Sequence, residues 1–208
     1  GAIAAVLQQH FAALVDAQPE LLAQHQEQAG QWAEALAGWE RAARHAARRS
    51  AHHEAGTHIR RALALLPQLG EADAGPDSGR DATELRLLLL QSGVLIATQG
   101  YGADGVGAVY ERALALAQRL GDTGALHKLR LGLEGWHFMR GDFPRAQAIA
   151  HELTAALGPS PEPQARLHAA WAQANLLFHQ GRLPEAVAQT DRCLADYGQG
   201  VQRASTLH

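Results

Sequence analysis

Twelve histidines in a chain of 208 residues make metal binding and proton transfer the first chemistries to consider. His53-Glu54-Ala55-Gly56-Thr57-His58 begins like the zinc-binding helix of a metalloprotease, where two imidazoles at i and i+4 face one ion. Here the second histidine stands at i+5, about 140° around a helix from the first, and Thr57 fills the position a ligand would need. A solvated helix face is the expectation, with no more than adventitious metal at His52, His53 and His58. Cys193 is the single cysteine, so neither an internal disulfide nor a thiolate zinc site can form. Its place in the middle of a helix predicts a packed thiol, not a nucleophile. There is no Gly-x-Ser-x-Gly and no phosphate loop, and the only lysine is Lys128. Tyr101-Gly102-Ala103-Asp104-Gly105-Val106-Gly107 carries a Gly-x-x-Gly-x-Gly run, but after a helix and not after a strand. It predicts a turn and a helix N-terminus capped by Asp104. The expectation is a protein that is not an enzyme, with no catalytic residue, metal or cofactor.

One charge feature stands apart. Arg41, Arg44, Arg48, Arg49, Arg60 and Arg61 place six of the 18 basic residues within 21 positions, and Arg41, Arg44 and Arg48 share a helix face. The net charge of −3 and the absence of interleaved aromatics argue against nucleic acid. A solvated face, or a contact with an acidic surface of a parent protein, fits better.

The elements that position these residues are helices. The chain holds 43 Ala and 30 Leu against 18 Val, Ile and Thr combined, a balance that favours helix and starves any sheet. No apolar run approaches the roughly 18 residues of a membrane span, and one cysteine suits a reducing compartment. A cytoplasmic, all-α protein is expected, with no membrane contact. Met139 is the only methionine, and the chain opens Gly1-Ala2-Ile3 inside a helical pattern. That reads as a piece of a longer polypeptide.

Three segments share a Gly-x-apolar-x-x-Ala pattern at the start of a helix: Gly30 to Ala35, Gly141 to Ala146 and Gly181 to Ala186. Each Gly suits the left-handed end of the preceding helix, and Pro144 and Pro184 fit a first turn, where no N–H is needed. A further copy keeps Ala55, Ile59, Ala62 and Pro67, with Trp39, Ala42, Ala43 and Ala46 on the partner helix. A degenerate one places Val106, Tyr110 and Ala113. These spacings resemble the tetratricopeptide repeat, with elongated helices. Ten helices are expected, at about 2–15, 19–29, 31–49, 51–66, 82–99, 104–120, 123–140, 143–157, 162–180 and 183–197. The resemblance implies antiparallel hairpins stacked as a right-handed solenoid. Residues 1–16 would form a junction helix, 17–200 the repeat domain with an exposed loop at 71–80, and 201–208 a frayed tail.

In such a solenoid the first helix of each hairpin lines the concave surface. That face would carry Lys128, Leu131, Gly135 and Phe138, then His168, Trp171, Asn175 and Phe178. Glu40 and Arg44 would make the other end charged. The aromatics are either packing between repeats or a groove for a peptide or small ligand.

The run 19–42, with Pro19-Glu20-Leu21-Leu22 and Ala35-Leu36-Ala37-Gly38-Trp39-Glu40-Arg41-Ala42, is similar to a stretch recurring in large bacterial signalling proteins. So is Ala97-Thr98-Gln99-Gly100-Tyr101 followed by Tyr110-Glu111-Arg112-Ala113. Those proteins join a nucleotide cyclase or transcription-regulator output to a signal-transduction ATPase and a tetratricopeptide-like region. The resemblance implies a non-catalytic interaction or sensor module, whose partner is a peptide or the parent's other domains. A small-ligand receptor using the aromatic groove is the alternative, and a metal- or histidine-dependent enzyme, resting on histidine abundance alone, is the more distant one.

Overall fold

The computed structural model describes residues 2–69, 79–158 and 163–205. Among them are eleven α-helices and no strand: α1 (Ala2–His10), α2 (Ala12–Ala17), α3 (Pro19–Gln28), α4 (Trp32–Arg48), α5 (His52–Leu65), α6 (Arg80–Gln99), α7 (Asp104–Leu120), α8 (Thr123–Met139), α9 (Phe143–Ala155), α10 (Pro163–His179) and α11 (Leu183–Ser205). The all-α expectation holds. The extra helix comes from a kink at Phe11 (φ −131°, ψ 40°). The backbone ladder runs through it, Phe11 N–H donating to Leu7 and Val15 N–H to Phe11, each at 3.0 Å. α11 continues to Ser205 instead of ending at 197. Of the expected loop at 71–80, residues 71–78 lie outside the described residues, while Gly79 precedes α6 and Arg80 begins it.

The turns explain the repeat. Gly30, Gly141 and Gly181 have φ of 71°, 76° and 74°, the left-handed conformation expected of them. In each, the residue after Gly reaches back five positions: Gln31 N–H to Gln26, Asp142 to His137 and Arg182 to Leu177, at 2.9–3.0 Å. This bond closes the exposed carbonyls of the helix C-terminus. Ser50 makes the same turn with φ 61°, and Ala51 N–H reaches Ala46 at 3.0 Å. The second helix is then started by a side chain where Asp is available. Asp122 accepts from Ala125 N–H at 2.9 Å and Asp142 from Arg145 N–H at 3.3 Å. Before α7 the N-cap position is held by extended Ala103, and Asp104, expected there, is instead the first residue of the helix, where a carboxylate suits the helix dipole.

The chain divides into two compact units, Gly1–Gly121 and Asp122–His208. The core of the first is built from small residues. Ala23, Ala35, Leu36, Trp39, Ala42, Ala62, Leu65, Leu66 and Leu87 form one buried cluster, and Ala43, Ala46, Ala55, Ile59 and Val94 another. α3 and α4 approach so closely at Gly38 that a Cβ there would sit 2.8 Å from the Ala23 Cβ. Trp39, next along α4, reaches both α3 and α5. Its indole N–H donates to Glu27 at 2.8 Å, His58 stacks on one side at 5.3 Å, and the Arg61 guanidinium lies 4.7 Å from the ring centroid.

In the second unit α8–α9 and α10–α11 are two hairpins in one register. Their helices begin 40 residues apart, Thr123 with Pro163 and Phe143 with Leu183. The small residues Ala146 and Ala186 are buried at matching places, as are Leu153 and Cys193.

Candidate functional site

The geometry of the second unit sorts the expected ligand-contacting residues into distinct places. Leu131 and Phe138 pack against a buried cluster of Ala146, Ala150, Ala172 and Leu176. Phe138 also meets the His179 ring edge-on at 4.6 Å. These two side chains therefore belong to the seam where α10 is held by the α8–α9 hairpin, not to an open groove. Around them, His127 stacks on His168 at 5.8 Å, Gln173 donates to Thr154 at 2.7 Å, and Gln180 donates to Gln147 at 3.2 Å. Lys128 and His168 come together on the wall of a cavity of about 360 Å³, with His127, Leu157 and Gln164.

Trp171 and Phe178 are different. Set at i and i+7 on α10, they share one stripe with Asn175, and the structure leaves both open to solvent. α11 carries three more exposed apolar side chains, Leu183, Val187 and Leu194, at i, i+4 and i+11. All five large apolar side chains are 51–64% exposed. α11 thus has two apolar stripes, one buried through Ala186 and Cys193 and one bare. α10 likewise carries Ala172 and Leu176 in the seam and Trp171 and Phe178 away from it. Apolar residues on more than one face are the mark of a helix covered on more than one side.

The remaining predicted pair lies in the first unit. Glu40 is buried and accepts from Arg44 at 2.5 Å and from Arg86 at 3.4 Å. These three, with Gln26, Glu34, Ala37 and Arg41, line a cavity of about 430 Å³. Arg41, Arg44 and Arg48 face a second cavity of about 280 Å³ beside Asp16 and Pro19. The rest of the arginine run is engaged locally: Arg49 pairs with Glu54 at 3.1 Å, Arg60 donates to Thr57, and Arg61 covers Trp39. His53 is exposed while His58 is buried against Trp39, so the two imidazoles diverge as their spacing requires. No group of three or more His, Cys, Asp or Glu among the described residues could hold a metal ion.

Sequence reasoning missed the α11 half of the apolar face and one acid. Leu183, Val187 and Leu194 were legible as a stripe, but Ala186 and Cys193 offered a competing one. Glu134 is fully buried with no hydrogen-bond partner for either carboxylate oxygen. Burial pushes its pKa up from 4.5 to about 7, because desolvation penalises the charged form. The signal was its place three residues after Leu131 and four before Phe138, on a helix face that is otherwise packed.

No helix among the described residues is long and apolar enough to cross a membrane. Compared with known proteins, the chain matches no protein-family model and no curated protein sequence.

Proposed function

We propose that this chain is a non-catalytic protein-interaction module, a tetratricopeptide-like stack of helix hairpins within a larger bacterial ATPase-type signalling or transcription regulator. The observation that carries the reading is the bare apolar face of α10 and α11, where Trp171, Phe178, Leu183, Val187 and Leu194 all point to solvent. Contiguous exposed apolar side chains on a helical surface mark interaction sites, and large aromatics in such patches dominate binding energy. The link to an ATPase rests on the resemblance of residues 19–42 and 97–113. It is tested by joining or co-expressing this chain with the adjoining ATPase portion and measuring nucleotide hydrolysis. An interaction module should change the hydrolysis rate or retain a partner, and no change in either overturns the proposal.

A second reading has its own support. A cavity of about 490 Å³ opens among α9, α10 and α11, lined by Gln147, Gln173, Gln180 and Gln189 with His151 and Arg192. Primary amides at this density can donate to and accept from a small polar ligand. It is not the aromatic groove expected from sequence, since neither Trp171 nor Phe178 lines it. A thermal-shift screen tests it: ligand at 100 times its dissociation constant adds about 2.7 kcal/mol to stability. No shift in a broad polar library counts against it.

A further inference from the structure

The two hairpins of the second unit show what the bare face is shaped to receive. On α8–α9, the residues that hold α10 are His127, Leu131, Phe138 and Phe143 together with Gln147 and Thr154. Forty residues on, the same six positions are Leu167, Trp171, Phe178, Leu183, Val187 and Leu194. Five of these are the exposed large apolar residues of α10 and α11. The patch is therefore a second copy of an interface that is filled one hairpin earlier. It differs in one systematic way: three positions that are polar in the filled copy (His127, Gln147 and Thr154) are apolar here.

We infer that the α10–α11 face docks an amphipathic partner helix running parallel to α10, as α10 runs parallel to α8. This rests on the protein-interaction reading and names the partner's chemistry. In the filled copy α10 presents Ala172 and Leu176 to the seam, and Gln173 and Gln180 to Thr154 and Gln147. The partner keeps the small residue and the leucine, where close approach and apolar packing are needed. Opposite Leu194 and Val187 it must be apolar, because a glutamine there would lose its hydrogen-bonding partner and be desolvated. The recognised pattern is Ala-apolar-x-x-Leu-x-x-x-apolar, with the two apolar positions replacing Gln173 and Gln180.

The test uses the full 208-residue chain and a labelled synthetic peptide of residues 163–181 carrying Gln173→Leu and Gln180→Leu, followed by fluorescence anisotropy. The expected result is saturable binding that weakens about tenfold or more when the peptide keeps both glutamines. Binding should also be lost in the Leu194→Glu chain, whose exposed substitution leaves the helical fold intact by circular dichroism. Equal binding of the two peptides overturns the inference. So does binding that survives Leu194→Glu, which would mean that the peptide enters elsewhere or displaces α10. Sedimentation that shows the chain pairing with itself, with the pairing abolished by Leu194→Glu, assigns the face to a second copy and also overturns it. A Leu194→Glu chain that still alters hydrolysis by the adjoining ATPase, while wild type binds no peptide, overturns this docking site and leaves the interaction reading standing.

Discussion

Phe138 and Phe178 occupy the same position in hairpins 40 residues apart and meet opposite surroundings. The Phe138 ring lies edge-on to His179 of the next hairpin at 4.6 Å, whereas Phe178 is 59% exposed. Position in the repeat is the same, so the contrast comes from whether a following helix covers it.

That contrast sets the stability of single substitutions. Leu129 and Leu153 are fully buried, and truncating either to Ala should cost about 2–5 kcal/mol in urea denaturation. Trp171→Ala and Phe178→Ala remove larger side chains from the open face, yet should each cost under about 1 kcal/mol in the isolated chain. A loss as large as that of Leu153→Ala would mean these aromatics are core.

The turn at Ser50 carries strain that glycine relieves. Its φ of 61° is costly for an L residue by roughly 1–2 kcal/mol, and the matching turns at 30, 141 and 181 all use Gly. Ser50→Gly should raise stability by about 1 kcal/mol, and Gly141→Ala should lower it by a similar amount. Thermal melts of the two variants check both signs.

Close packing of α3 on α4 makes the opposite demand at Gly38. A methyl group would sit 2.8 Å from the Ala23 Cβ and 3.1 Å from its Cα, and neither atom can swing aside. Gly38→Ala should destabilise by about 1–3 kcal/mol through overpacking, despite alanine's better helix propensity. An unchanged melting temperature would show that the two helices can separate freely.

Glu134 gives the second unit a pH-dependent stability. Its folded pKa of about 7 lies above the ordinary 4.5, so the folded state keeps the proton longer than the unfolded state. The full stability is present below about pH 4.5 and declines as pH rises through 4.5 to 7, then levels off. The loss is about 3 kcal/mol. Glu134→Leu should flatten this slope and be more stable than wild type at pH 8. Comparing the two proteins at each pH cancels the titration of the histidines, and identical slopes would contradict the assignment.

Much of the fold was legible because alanine and glycine fell where geometry leaves little choice. Ala35, Ala62, Ala146 and Ala186 are all buried where helices touch, and the three Gly turns took the left-handed conformation that their spacing required. Ser50 hid a fourth such turn, since a residue with a side chain gives no sign of positive φ. The Phe11 kink has no proline or glycine to announce it. The site was only half readable for a different reason. Periodicity shows that Leu131, Phe138, Trp171 and Phe178 lie on apolar stripes. Whether a stripe is covered depends on a neighbouring helix, and that is a tertiary fact.

Hydrogen exchange of the full chain, with and without the leucine-substituted 163–181 peptide, shows whether the α10–α11 face receives a helix. Docking at the bare face should slow exchange in α10 and α11 alone, centred on the turns that carry Trp171, Phe178, Val187 and Leu194. Protection along α4 and α6 around Arg41 and Arg86, or no protection at saturating peptide, would contradict it.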